Sequence, residues 1–140
     1  MANDKIAFEI VTPEKRLVST EVDEVTGPGI WGEVGILPKH TPYLLELDVG
    51  VLSYRKGSGR YFAAVSSGYA EAGPHSVTVL AETAEQAEEI NVERAKAARQ
   101  RAMDRISGKE NTQDFSFDRA EAALKRAISR ISVASRSGLD

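Results

Sequence analysis

The composition of this chain changes abruptly near Ala84, and that break constrains the fold more than any single motif does. All five prolines and all but two of the eleven glycines precede it. Beyond it Ala, Glu, Arg and Lys dominate, all good helix formers, with no proline among them. A stretch interrupted so often by Gly and Pro must turn repeatedly, whereas an uninterrupted one can sustain long helices. The 140 residues therefore read as two parts, residues 1–84 and residues 85–140, with the bulk of one ordinary domain plus an appendage. Charge follows the same division: 7 Lys/Arg against 11 Asp/Glu in the first part, 11 against 10 in the second.

In the first part Ile6, Phe8 and Ile10 alternate with Ala7, Glu9 and Val11, the period of a strand with one buried face. Thr12-Pro13-Glu14-Lys15 is turn chemistry, residues 17–18 and 22–26 read as short strands, and Gly27-Pro28-Gly29 reads as a turn. Next comes Gly32-Glu33-Val34-Gly35-Ile36-Leu37-Pro38-Lys39-His40-Thr41-Pro42-Tyr43-Leu44-Leu45, whose two Gly and two Pro predict a rigid bent loop feeding a strand. Residues 44–49 and 51–55 flank Gly50. Lys56-Gly57-Ser58-Gly59 predicts a hairpin turn into residues 60–65. Ser67-Gly68 and Gly73-Pro74-His75-Ser76 separate strands 69–72 and 77–80 from what precedes each. Many short strands with Gly/Pro turns and no βαβ pattern predict an antiparallel β-sandwich, here followed by helices, an α+β chain.

The second part predicts a two-helix antiparallel hairpin. Thr83 with Gln86 suggests a capping box for a short first turn, and Asn91 is the N-cap of the main helix, with Glu93 in its first turn. That helix runs to about Ser107 and stops at Gly108; residues 111–114 form a polar loop. Ser116 caps a second helix that runs to about Ser135. Phe117, Ala120, Leu124, Ala127 and Ile131 make a narrow apolar seam on it, and Val92, Ala95, Ala102 and Ile106 a thinner one on the first helix. Alanine seams bury little area at roughly 25 cal/mol per Å², so the hairpin needs a partner and can exchange one partner for another. Arg94, Ala98, Arg101 and Arg105 share another face of the first helix, and Arg119, Arg126 and Arg130 share one on the second. One reading is a solvated face with i,i+4 ion pairs; the other is an anion site of guanidinium forks.

Several functions are excluded or disfavoured. Without Cys there is no disulfide, thiol catalysis or Cys-based zinc. A net charge of −3 disfavours a general nucleic-acid binder, including a nucleic-acid-binding hairpin. No apolar run approaches the roughly 20 residues of a membrane span, and the first residues carry no signal or transit pattern, which predicts a cytosolic or equivalent chain. No P-loop or hydrolase elbow occurs, and His40 and His75, far apart, supply neither a metal site nor a triad. His40 reads as a hydrogen-bonding or contact residue of the loop rather than a base. Trp31 reads as an exposed anchor or a cap on the sandwich, with the cap favoured. No enzyme emerges.

Three motifs in order resemble the epsilon subunit of bacterial and chloroplast F-type ATP synthases over essentially the whole chain. They are Gly32 through Pro42, Val65-Ser66-Ser67-Gly68-Tyr69 with Val77-Thr78-Val79-Leu80-Ala81, and Ile90-Asn91-Val92-Glu93-Arg94-Ala95 followed by Arg119 through Ala127. The resemblance implies a ten-stranded sandwich with a two-helix C-terminal domain, in a non-catalytic central-stalk subunit of the proton-translocating complex. It implies binding to the gamma subunit and the c-ring, coupling of rotation between ring and alpha/beta catalytic head, and restraint of ATP hydrolysis by mobile helices. The implied location is peripheral, on the cytoplasmic face of a bacterial inner membrane or the stromal face of a thylakoid. Glu33 and His40 match positions facing the c-ring. No metal or cofactor is required, but ATP-binding members hold ATP as a regulatory ligand. Carried over by position, the ATP candidates are Glu85, Asn91, Arg94, Arg101, Arg126 and Arg130. Asn91 stands where that motif has Asp, keeping the capping ability and losing the charge, and Lys39 stands where Gly is common. The competing class is a free-standing ATP sensor whose Arg-lined hairpin closes on the nucleotide.

Overall fold

The computed structural model describes residues 4–108 and 116–137. Within them the chain forms eight strands: β1 (Ile6–Val11), β2 (Arg16–Val22), β3 (Glu24–Gly29), β4 (Gly32–Ile36), β5 (Tyr43–Leu47), β6 (Gly50–Lys56), β7 (Gly59–Ala72) and β8 (Ser76–Gln86). A 3₁₀ turn (Ala87–Glu89) leads to helices α1 (Val92–Ile106) and α2 (Phe117–Ser137). Every strand pairing among the described residues is antiparallel except β1 with β8.

The two longest strands make the sandwich. Residues 59–65 of β7 pair with β6, and residues 68–72 pair with β5, so one strand serves both layers. β8 follows β7 along both halves and takes β1 and then β2 on its free side in one layer. β6 carries β3 and β4 in the other. Counting β7 and β8 once per layer turns eight strands into the ten that the resemblance implies. The passage between layers falls at Ser67 and Gly68, where both residues have positive φ (47° and 130°). The reading of Ser67-Gly68 as a separating turn is thus corrected to a bend inside one strand. Only glycine fits there, because a Cβ on Gly68 would stand 2.0 Å from the Leu80 carbonyl oxygen.

Alternation delivers the core. Ile6, Phe8 and Ile10 point inward with Val22, Val25, Ile36, Leu52, Val77 and Val79, all essentially sealed from solvent. The Tyr54 ring packs on Phe8 at 4.9 Å between centroids and stacks on Tyr61 at 5.5 Å. The hairpin at residues 56–59 forms as expected, with Lys56 opposite Gly59 and Gly57 at φ 60°.

Two loop expectations change. Gly27-Pro28-Gly29 is the end of strand β3, not a turn; its small residues are there because neighbours cross closely, with a Cβ on Gly29 meeting Leu45 at 2.7 Å. The stretch 32–45 is β4 and the start of β5 around a shorter connection, residues 37–42, rather than one continuous loop. The turn between β3 and β4 carries Trp31, which is 95% exposed and so does not cap the sandwich as favoured from the sequence. Lys39 holds a left-handed backbone (φ 68°), the conformation that glycine enters at least cost.

The helices start and stop where their signals stand. The Asn91 Oδ1 accepts the Arg94 N–H at 3.0 Å, α1 ends at Ile106 ahead of Gly108 (φ 80°), and the Ser116 Oγ accepts the Arg119 N–H at 3.4 Å. The expected polar loop at residues 111–114 lies outside the described residues. The capping box sits three residues later than expected: Thr83 is still in β8, and the Gln86 N–H donates to Glu89 at 3.0 Å.

α2 carries two stripes where one was expected. Ala120 and Ala127, with Ala95 and Ala102 of α1, are buried where the helices meet, while Phe117 at the head of the expected seam is half exposed. The second stripe, Arg126, Ser129, Arg130 and Val133 at spacings of 3, 1 and 3, faces the sandwich. Val133 is fully buried beside Ala64 and Ile90, and the Arg136 guanidinium lies 5.5 Å from the Phe62 ring centre.

Candidate functional site

A cleft of about 230 Å³ opens between the end of β8, the 3₁₀ turn, α1 and α2. Its walls include Glu85, Glu89, Asn91, Arg94, Arg101 and Arg130. Five of the six ATP candidates read from the sequence therefore converge. Arg126 lines an adjoining narrow crevice instead, with Ser66, Thr83 and Ser129, and Glu85 and Arg130 line both it and the cleft. Ala95, Ala98 and Glu89 are wall residues outside the six candidates. Ala95 and Ala98 carry no polar signal, although Ala98 falls on the arginine face read from the sequence at the 94–98–101 spacing.

Local folding positions each group. Strand β8 runs past the composition break and carries Glu85, paired opposite Ala64, to the rim. There the Arg130 Nε–H donates to the Glu85 Oε1 at 2.5 Å. That bond uses one of the five guanidinium N–H donors, so Arg130 is oriented by Glu85 while its terminal donors remain for an anion. Asn91 spends its carbonyl oxygen on the α1 cap, which leaves its amide N–H groups as donors; an Asp in that place would offer acceptors only. Arg94 and Arg101 stand two turns apart on one face of α1.

The electrostatics are mixed rather than uniformly basic. Three arginines face two glutamates, and each glutamate is already engaged. Glu89 accepts the Gln86 N–H at 3.0 Å and the Lys15 ammonium at 2.6 Å. Its burial pushes the carboxyl upward, but these two bonds outweigh that and hold it below the ordinary glutamate value. The same contact raises Lys15, chiefly through its hydrogen bond to Glu89. The cleft can thus hold an anion on guanidinium forks beside the positive end of α1. Its volume falls just short of the roughly 300–1,000 Å³ of ordinary small-molecule pockets. No cluster among the described residues has the His, Asp and Glu content to hold a metal ion.

The two other candidates lie elsewhere. Glu33 is exposed on β4, opposite Pro28, and half-buried His40 sits in the connection to β5 with its Nδ1–H directed to the Thr41 carbonyl at 2.6 Å. Ile30 and Trp31 on the β3–β4 turn, Leu37 on the connection after β4, and Tyr43 and Leu44 on β5 are exposed. Exposed apolar residues that form a contiguous patch mark an interaction surface. No described helix is long and apolar enough to cross a membrane.

Comparisons with known proteins agree in kind. Residues 5–87 match the family described as the ATP synthase Delta/Epsilon chain beta-sandwich domain, and residues 88–135 match the Delta/Epsilon chain long alpha-helix domain. The chain is similar to the ATP synthase epsilon chain of Syntrophobacter fumaroxidans, at 53% identity over 104 residues (74% of this chain, 78% of that one). It is also similar to that of Citrifermentans bemidjiense, at 49% over 105 residues (75% and 76%). In fold it is similar to a chain of the Euglena gracilis mitochondrial ATP synthase, solved as OSCP/F1/c-ring, with a TM-score of 0.77 at 19% identity, covering 98% of this chain and 82% of that one. A chain of the Tetrahymena thermophila mitochondrial ATP synthase central stalk and c-ring has a TM-score of 0.53 at 15% identity, covering 96% and 98%.

Proposed function

This chain belongs to the epsilon-subunit family of F-type ATP synthases, and from that membership we propose that it is a non-catalytic central-stalk subunit whose hairpin restrains ATP hydrolysis. In this reading the sandwich docks on the gamma subunit and the c-ring and helps carry rotation between the ring and the alpha/beta head. The exposure of Trp31, Leu37 and Leu44 in the stretch of chain that carries Glu33 and His40 supports that docking. The subunit would then sit at the membrane surface only through the complex, on the cytoplasmic face in a bacterium or the stromal face in a plastid.

The observation that carries the inhibitory role is how little fastens the helices to the sandwich. Among the described residues, besides Val133 and Ala134 in a small pocket and Arg136 over the Phe62 ring, α2 is tied by Arg130 to Glu85 and by Lys125 to Asp48 at 3.7 Å. Partly exposed ion pairs of this kind contribute about 0–1 kcal/mol each, so a second packing of the hairpin lies within a few kcal/mol. The test is a stop after Ile90, which leaves β8 whole. Assembled enzyme carrying the shortened chain should hydrolyse ATP faster while its subunit content is unchanged. Hydrolysis equal to that of the full-length enzyme would refute the inhibitory role.

A second reading is favoured by one specific observation: Arg94, Arg101 and Arg130 converge on a cleft beside the start of α1. It makes the compact hairpin an ATP sensor in which Arg94, Arg101 and Arg130 hold phosphates, Asn91 donates from its amide and Glu85 orients Arg130. Calorimetry on the isolated chain should then give a heat of ATP binding that Arg94→Ala abolishes. Binding unaffected by Arg94→Ala would count against this site.

A further inference from the structure

The cleft has a neighbour from the far end of the sequence. The β1–β2 turn is closed by the Thr12 N–H donating to the Lys15 carbonyl at 2.9 Å, and the Lys15 N–H donates back to the Thr12 Oγ1 at 3.3 Å. That turn presents the Lys15 ammonium to the Glu89 Oε2 at 2.6 Å, while the other carboxylate oxygen accepts the Gln86 N–H. Glu89 lines the cleft and Lys15 does not. Of the two acidic wall residues, Glu85 is neutralised from within by Arg130; Glu89 is neutralised from outside, by Lys15.

Resting on the nucleotide reading above, we propose that Lys15 is a positioning residue of the cleft, acting through Glu89. It pins that carboxylate and cancels its charge, so that Arg94 and Arg101 meet bound phosphates without an opposing anion. Without Lys15, Glu89 keeps its charge and either repels the phosphates or takes a cleft arginine for itself. Both routes weaken anion binding, and both need the Glu89 carboxylate. The turn that carries Lys15 contributes nothing else to the cleft wall.

The test is a double-mutant cycle, with ATP binding measured by calorimetry on the full chain at low salt. Lys15→Met should weaken ATP about two- to fivefold, the range that a partly exposed charge pair supports. Glu89→Gln should bind at least as tightly as the parent. The Lys15→Met/Glu89→Gln double variant should match Glu89→Gln alone, because the lysine has no carboxylate left to answer. Raising the salt should shrink the loss in the single lysine variant. Unchanged binding by Lys15→Met overturns the proposal, as does a loss that persists in the Glu89→Gln background, which would mark Lys15 as a fold element only. A parent chain that binds no ATP overturns the nucleotide reading and this proposal with it. Binding by the parent together with an inert Lys15 overturns this proposal alone.

Discussion

The sandwich and the hairpin bury different things. The sandwich seals Phe8 and a set of Ile, Leu and Val side chains; where the helices meet they seal Ala95, Ala102, Ala120 and Ala127. A buried Leu or Ile contributes about 1.5–3 kcal/mol and an alanine methyl far less, so the sandwich holds itself while the hairpin borrows stability from what it lies on. The stripe facing the sandwich is mostly polar, with Val133 as its buried anchor among Arg126, Ser129 and Arg130. An element fastened in this way can leave without unfolding what it leaves.

Substitutions should separate the two regions, and the largest effect belongs to the sandwich. Gly68→Ala forces a side chain into the Leu80 carbonyl at a left-handed backbone position, and should destabilise the whole chain by about 3 kcal/mol or more in urea unfolding. Next comes Val133→Ala, which removes two buried methyl groups at about 0.8 kcal/mol each and opens a small cavity. It should cost about 2 kcal/mol, read as faster proteolysis of α1 and α2 with the sandwich melt unchanged. A drop in the sandwich melt would make the two regions one unit.

Acid should act on both regions through different carboxylates. Asp23 is held below the ordinary aspartate value, first by its bond from Lys5 and then by the Gly57 N–H at 2.7 Å; Glu89 is held low by Gln86 and Lys15. Each folded value lies below the unfolded one, so the stability each lends is whole above the unfolded value and disappears as pH falls through the lowered one. Asp23→Asn should flatten the acid limb of the sandwich melt, and Glu89→Gln that of hairpin protection. A swapped pattern would break the comparison. The smallest effect is expected for Lys39→Gly: relief of the left-handed backbone is offset by loss of the contact from Lys39 to Asp4 at 3.2 Å and by glycine's greater unfolded entropy. The net change in melting should stay within about 1 kcal/mol.

Much of this was legible because local signals and tertiary needs agree. The alternation in residues 6–11, the Gly57 hairpin and the Asn91, Gly108 and Ser116 helix signals all fall where the structure uses them. The failures share a cause, which is packing from elsewhere in the chain. Gly27-Pro28-Gly29 looks like a turn until β5 and β6 cross close to it, and Thr83 looks like a helix cap until its hydroxyl is seen paired with that of Ser66 on the neighbouring strand. Val133 lies beyond a single heptad seam ending at Ile131, and a helix touching two surfaces needs two seams. Arg126 and Arg130 look equivalent at one turn apart and share one crevice, yet only Arg130 also reaches the cleft. Glu89 was invisible because its partner lies 74 residues away.

Native-state hydrogen exchange on the full chain tests the separation most directly. Amides of α1 and α2 should exchange through an opening of distinctly lower free energy than those of β1, β7 and β8, and salt should lower the hairpin's opening energy. Equal opening energies for helices and strands, unmoved by salt, would mean that the hairpin is welded to the sandwich and would contradict the account.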